Sequence, residues 1–216
     1  DTDLLGALGQ VTAHWSGGSG LMTRIASGGF TITGSKRSWQ VEVQACDLVR
    51  WASARSLAPG TLVTASALLD LVSDAWLAGL LQACAAARSP LFCVLTYDGR
   101  VSLTPRHPLD GGVIGLVNAH QLRDKGLGPA LGPLAPARLV CLAQAAGLGL
   151  ETAASDWDLT PDQAELQRAL VAGWAQAAAE QSQQSLGSGL EARIADWRDA
   201  RLAWIGAGVS QLRVGR

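Results

Sequence analysis

Apolar positions along this chain recur with two periods, and the switches between them mark its elements. Leu4, Leu5, Leu8 and Val11 share one helical face and predict a helix over 4–15, ended by the break Ser16-Gly-Gly-Ser-Gly20. Short strands are predicted at 21–25 and 30–33, with a turn at 34–37. Over 39–47 the side chains alternate, Trp39, Val41, Val43 and Ala45 against Gln40, Glu42, Gln44 and Cys46, which predicts a strand closed by Asp47-Leu48. Residues 49–56 then read as a short helix. Residues 61–67 are apolar towards both faces, as in a strand of a parallel sheet covered by helices. An amphipathic helix over 74–87 and an apolar strand over 90–97 follow, and Asp98-Gly99 is a hairpin-turn signal before 100–103.

Beyond that turn, Leu109, Val113, Leu116 and Val117 form the apolar stripe of a helix over 108–122. A glycine-rich break at 123–132 precedes a helix over 135–146 that stops at Gly147. Residues 148–156 read as a strand. Thr160-Pro161-Asp162 reads as an N-cap with proline in the first turn of a helix running to about Gln181. A polar linker near 182–188, a last helix over 190–205 and a final strand over 209–214 complete the chain. Strands alternating with helices predict an α/β fold with a parallel sheet, in a single domain spanning 1–216.

Composition narrows the function classes. With 48% apolar and 16% charged residues the chain is globular, and a formal net charge of -1 offers no basic excess for phosphates, so no nucleic-acid partner is expected. No apolar run approaches the roughly 20 residues a bilayer requires, and no signal peptide opens the chain, so no membrane partner is expected. Cys46, Cys84, Cys93 and Cys141 each lie in apolar segments without metal-ligand spacing; they read as buried, reduced thiols of a cytoplasmic protein. Asp1 in place of methionine implies processing or an omitted region. Ser16–Gly20 follows a helix and precedes a strand, the reverse of a phosphate loop. No nucleophile elbow, Walker or H-E-x-x-H motif occurs, so hydrolase and NTPase readings have no support.

Several stretches, in order, carry a resemblance: Leu62-Val-Thr-Ala-Ser-Ala-Leu-Leu-Asp70, Asn118-Ala-His-Gln121, Asp124-Lys-Gly126, Gly128-Pro-Ala-Leu-Gly132 and Gln167 to Glu180 with Gly173-Trp174. Together they resemble bacterial class I S-adenosylmethionine-dependent methyltransferases over nearly the whole chain. The resemblance implies a Rossmann-like, mostly parallel sheet flanked by helices, N-terminally incomplete because the first strand and its glycine loop are absent. It also implies S-adenosylmethionine as cofactor and methyl transfer to an unidentified small-molecule or other acceptor.

The same resemblance distributes roles. Asp1 and Asp3 would end a strand and hold the cofactor ribose, against a solvated terminus as the plain alternative. Cys46, Asp47 and Leu48 would hold the adenine, with a helix N-cap as the alternative for Asp47. Thr64 and Ser66 would lie at the carboxyl end of a strand, where ligands of open parallel sheets bind. Read from the residues themselves, Asn118, His120, Gln121, Asp124 and Lys125 form the densest polar cluster of the chain. His120 is the candidate catalytic base. Asn118, Asp124, Lys125 and Asp70 are the candidate substrate ligands, Lys125 for a carboxylate or phosphate. The alternative for His120 and Lys125 is stabilisation of a helix C-terminus, and for Asp70 a helix cap.

Tyr97-Asp98-Gly99-Arg100 reads mainly as a turn, with Arg100 a lesser candidate for an anion. His14 and His107 read as surface or loop residues, and Trp157, Trp174, Trp197 and Trp204 as packing residues. The rival function is a non-catalytic Rossmann-like binding or assembly module without the cofactor loop. The open edges of a sheet lacking its central strand would invite another chain, a second copy included.

Overall fold

The computed structural model describes residues 2–49, 57–185 and 190–216. The chain forms two compact units, 1–51 and 52–216.

In the first unit, helix α1 (Thr2–Gly17) precedes β1 (Met22–Ala26), β2 (Gly29–Thr33) and β3 (Ser38–Glu42), an antiparallel meander in the order β1-β2-β3. Phe30 on β2 is buried, and the Ser16 hydroxyl, 2.7 Å from that of Thr23, ties the end of α1 to β1. The alternation expected to continue to residue 47 stops at Glu42, beyond which β3 has no further partner register. Leu48 and Val49 begin a helical turn, and the rest of the helix expected over 49–56 lies outside the described residues.

The second unit opens with β4 (Val63–Ser66), α2 (Asp74–Ala87) and β5 (Leu91–Val94), with β4 and β5 paired in parallel as a β–α–β unit must be. Ser73 caps α2 by accepting from the Trp76 N–H, and α2 buries Trp76, Leu77, Leu80, Leu81 and Cys84. Helix α3 (Asp110–Gln121) follows β6 (Val101–Thr104). Helix α4 (Ala135–Ala145) is joined to α2 by the bidentate pair of Arg138 with Asp74, at 2.6 and 2.9 Å. Then come β7 (Trp157–Leu159), α5 (Ala164–Ser185), α6 (Leu190–Gly206) and β8 (Gln211–Val214), and β6, β8 and β7 form an antiparallel sheet in that order. The core lies between this sheet and α3, α5 and α6, centred on Val117, Val171, Trp197 and Leu212.

This α/β chain corrects the expected fold class. Its described strands make three small sheets, two antiparallel of three strands and one parallel of two, and no extended Rossmann-like parallel sheet. The reason lies in the faces of β4 and β5. Their apolar run predicts burial on both sides, yet Thr64 and Ser66 are exposed and Leu62 and Phe92, on the same face, are 59% and 58% exposed. The Val63, Ala65, Leu91 and Cys93 side is half-buried, and on the opposite face of the two strands only Val94 is. The Asp98-Gly99 turn does not join a hairpin either: β5 pairs with β4, whereas β6 pairs with β8, with Val101 opposite Val214. The strand expected over 148–156 does not form; the strand lies just beyond it, at Trp157–Leu159. Within the linker expected near 182–188, residues to Ser185 continue α5, and 186–188 lie outside the described residues. Among the thiols, Cys84 is buried, but Cys46 and Cys141 are exposed; all four are free. Among the described residues no helix is long and apolar enough to cross a membrane.

Candidate functional site

The second unit brings together three of the expected ligands, Asp70, Asn118 and Lys125, with two residues the sequence did not single out as ligands, Tyr97 and Arg216. Asp70 lies in the turn that leaves the carboxyl end of β4, and Tyr97 three residues beyond the carboxyl end of β5, the edge where ligands of parallel strands bind. The Tyr97 hydroxyl donates to Asn118 Oδ1 at 2.7 Å, and Asn118 Nδ2 donates to the Gly99 carbonyl at 3.1 Å. Asn118 thus clamps the end of β5 to α3. Gly99 is needed there: its φ is +85°, and a β-carbon would stand 2.7 Å from Pro133 Cβ.

The segment 125–132 packs on the Asp70 turn. Gly132 N–H donates to the Asp70 carbonyl at 2.9 Å and Leu131 N–H to that of Val72 at 2.8 Å. Gly132 has φ +50° and approaches Gln121 so closely that a β-carbon would lie 3.1 Å from its backbone. Lys125 donates to Gln121 Oε1 at 2.6 Å. Arg216 stacks its guanidinium 4.1 Å from the Trp157 ring centroid.

Electrostatics single out Asp70. Its carboxyl is pushed above the usual range by burial, against the pull of its own backbone hydrogen bond, Arg216 and Lys125. Its Oδ1 is buried without a hydrogen-bond partner. Burial, with the nearby Asp98 charge, pushes the Tyr97 hydroxyl up to about 12, so it remains a donor at neutral pH. A carboxyl raised in the folded state favours folding below its unfolded pKa, and that advantage is lost as pH rises through its folded pKa. Asp70→Asn is therefore expected to raise the melting temperature near pH 7 and to leave it unchanged near pH 3. Thermal melts across pH check this, and equal gains at both pH values would contradict it.

The cluster read from residues 118–125 is divided by the helix. At about 100° per residue, Asn118 and Gln121 share one side of α3 and His120 lies on another, with Arg123 just beyond the helix end. His120 Nε2 lies 3.0 Å from Glu180 Oε2 on α5, and Arg123 donates to Gln181 and to the Glu180 carbonyl. His120 Nδ1 is buried without a partner. The Gln176 amide first, and then His120, hold the Glu180 carboxyl below its usual range. Asp124 turns inward on its own loop, accepting from Gly126 N–H at 2.7 Å.

The residues assigned to the cofactor are divided between the two units. Asp1 lies outside the described residues, and Asp3 sits in the first turn of α1, not at the end of a strand. Asp47 is exposed and accepts from the Val49 N–H at 2.9 Å, the capping geometry; Cys46 and Leu48 flank it in the first unit. Thr64 and Ser66 lie on the open face of β4 in the second. Among the described residues no strand runs through a glycine loop into a helix.

An open cavity of about 620 Å³ lies beside the cluster, lined among others by Gly99, Arg100, Asp110, Asn118, Asp156 and Arg213. Its charges are paired: Arg100 with Asp98 and Asp156, Arg213 with Asp156 and Asp158. Asp110 is held by Arg201, Trp197 and the His107 N–H. Among the described residues no group of histidine, cysteine and carboxylate side chains is placed to hold a metal.

No family model, curated protein or solved structure matches this chain.

Tyr97 is the only tyrosine of the chain, a signal available in the sequence but read there as part of a turn. Arg216 carried no signal, because its place beside Asp70 depends on the pairing of β8 between β6 and β7.

Proposed function

We propose that the chain supplies the acceptor side of a S-adenosylmethionine-dependent methyl transfer, with the small-molecule acceptor held among Asp70, Tyr97, Asn118 and Lys125. The observation that carries this is the buried, unpartnered Oδ1 of Asp70 at the carboxyl end of a parallel strand pair; the resemblance of the flanking stretches supplies the reaction class. A hydroxyl or amine loses a proton on methylation, and a carboxylate of raised pKa is a better base than an ordinary one. Tyr97 and Asn118 orient the acceptor. His120, tied to Glu180 on the side of α3 that meets α5, steadies the helix carrying Asn118. The free thiols agree with a reducing, cytoplasmic setting.

A second reading is favoured by the lack, among the described residues, of a strand running through a glycine loop into a helix: a module that binds the same small molecule without methylating it. Calorimetric titration of the whole chain with S-adenosylhomocysteine separates the two. Saturating heat in the micromolar range supports methyl transfer and means that groups other than the seven assigned hold the cofactor. No heat removes methyl transfer and leaves the binding module.

A further inference from the structure

The first unit is short of core. Among its described residues Phe30 is the only buried apolar side chain. A unit the length of 1–51 is marginal even with a full core, and units near this size lean on disulfides, metals or association. Cys46 is free, and among the described residues no group of side chains is placed to hold a metal. Association is the remaining route.

Helix α1 has two apolar sides and a partner for one of them. The side that meets the meander is marked by Gly9, where a β-carbon would lie 3.3 Å from Ile25, and by Ser16, whose hydroxyl meets Thr23. At about 100° per residue, Leu8, Val11 and Trp15 form a second stripe roughly a third of a turn away. They are 39%, 63% and 59% exposed. The sheet adds to this open surface. Thr23 and Ile25 share the side of β1 that faces α1, and the register carries that side through Ile32 and Phe30 to Trp39 and Val41. Of these, Ile25 is 53% and Trp39 46% exposed. With about 250 Å² for a tryptophan and less for an aliphatic side chain, the three stripe residues, Ile25 and Trp39 leave roughly 500 Å² of apolar surface. An interface of standard size covers about 800 Å² per partner, about 60% of it apolar, so the open surface matches one such interface. No lysine, arginine or glutamate occurs in α1, and surfaces poor in charge and rich in tryptophan are those that interface cores use.

From this stripe we infer that α1 pairs antiparallel with α1 of a second copy of this chain, about a twofold axis near Val11. The spacing of Leu8, Val11 and Trp15, three residues and then four, is that of a helix–helix seam. A twofold axis requires a patch that complements itself, and this one does so in shape. Trp15 makes one end bulky, and the exposed Ala7 leaves the other end small. An antiparallel pair sets Trp15 of one helix over Ala7 of the other, whereas a parallel pair sets tryptophan against tryptophan. It also opposes the two helix dipoles, and brings the first turn with Asp3 beside the last turn with His14 of the second copy.

The test is sedimentation equilibrium of the whole chain. A dimer with a Kd of about 1 μM or tighter is expected, the weak end for an interface of this area. Val11→Glu and Ala7→Trp, both at exposed positions and each checked for an unchanged circular dichroism spectrum, are expected to weaken it at least tenfold. The first puts a charge into the seam, and the second fills the space that Trp15 takes. Met22→Lys, on the other side of the meander and 72% exposed, is expected to leave the dimer unchanged. A native monomer at about 100 μM, a hundredfold above that Kd, overturns the inference and leaves the stripe to another partner. So does a dimer that Val11→Glu leaves intact or that Met22→Lys weakens equally, because the interface then lies elsewhere. A dimer that Ala7→Trp tightens overturns the antiparallel pairing.

Discussion

Asp110→Ala is expected to lower the stability of the second unit by about 3–5 kcal/mol, the cost of stripping the partner from a buried charge. Arg201 is fully buried, with a relative exposure of 0%, and its guanidinium meets both oxygens of Asp110. The same guanidinium donates to the Pro105 carbonyl at 2.6 Å and lies 5.0 Å from the Trp204 ring. Asp110 also accepts from Trp197 Nε1 and from the His107 N–H, each at 2.8 Å, and stands in the first turn of α3, where the helix dipole favours an anion. One carboxylate therefore joins β6's exit loop, α3 and α6. Removing it leaves Arg201 uncompensated in the core; removing both charges, as in Asp110→Ala with Arg201→Met, is expected to recover most of the loss, since an apolar replacement of a buried pair is often neutral. Urea denaturation of the three proteins measures this, and a loss below about 1 kcal/mol in the single variant would show that the pair is not the clamp described.

Under the proposed function, Asp70→Asn is expected to slow methyl transfer by about 10²–10⁴-fold, the usual contribution of a positioned base. The amide keeps the shape of the carboxyl and can still meet the Asp70 turn, whose backbone is held by Gly132, so the change removes basicity and little else. His120→Gln, which touches Glu180 and not the cluster, is expected to leave the rate within a few-fold. Initial rates of both variants decide between the two groups: a large loss at His120 with none at Asp70 would return the base to the histidine.

Local elements were legible because they are written in period. The stripe of Leu109, Val113 and Val117 gave α3, and Thr160-Pro161 marked the start that the structure closes with the reciprocal Thr160–Gln163 box. Sheet architecture was not legible, because an apolar strand does not name its partner or say whether a helix covers it. Leu62 and Phe92 look like core residues in a linear pattern and are exposed in the fold. The same limit applies to the site. Asp70, Asn118 and Lys125 could be picked by residue type, but proximity along the chain grouped His120 with Asn118, and the turn of the helix separates them. Arg201, fully buried, sat unremarked in the last helix, and its partner acid lies 91 residues away.

The most direct measurement is transfer of a tritiated methyl group from S-adenosylmethionine to a fractionated small-molecule extract by the whole chain, run beside Asp70→Asn. The account predicts label in a small-molecule fraction with the native chain and a loss of at least 100-fold, the lower end of a base's usual contribution, with the variant. Absence of label with the native chain, or equal label with both, would contradict it.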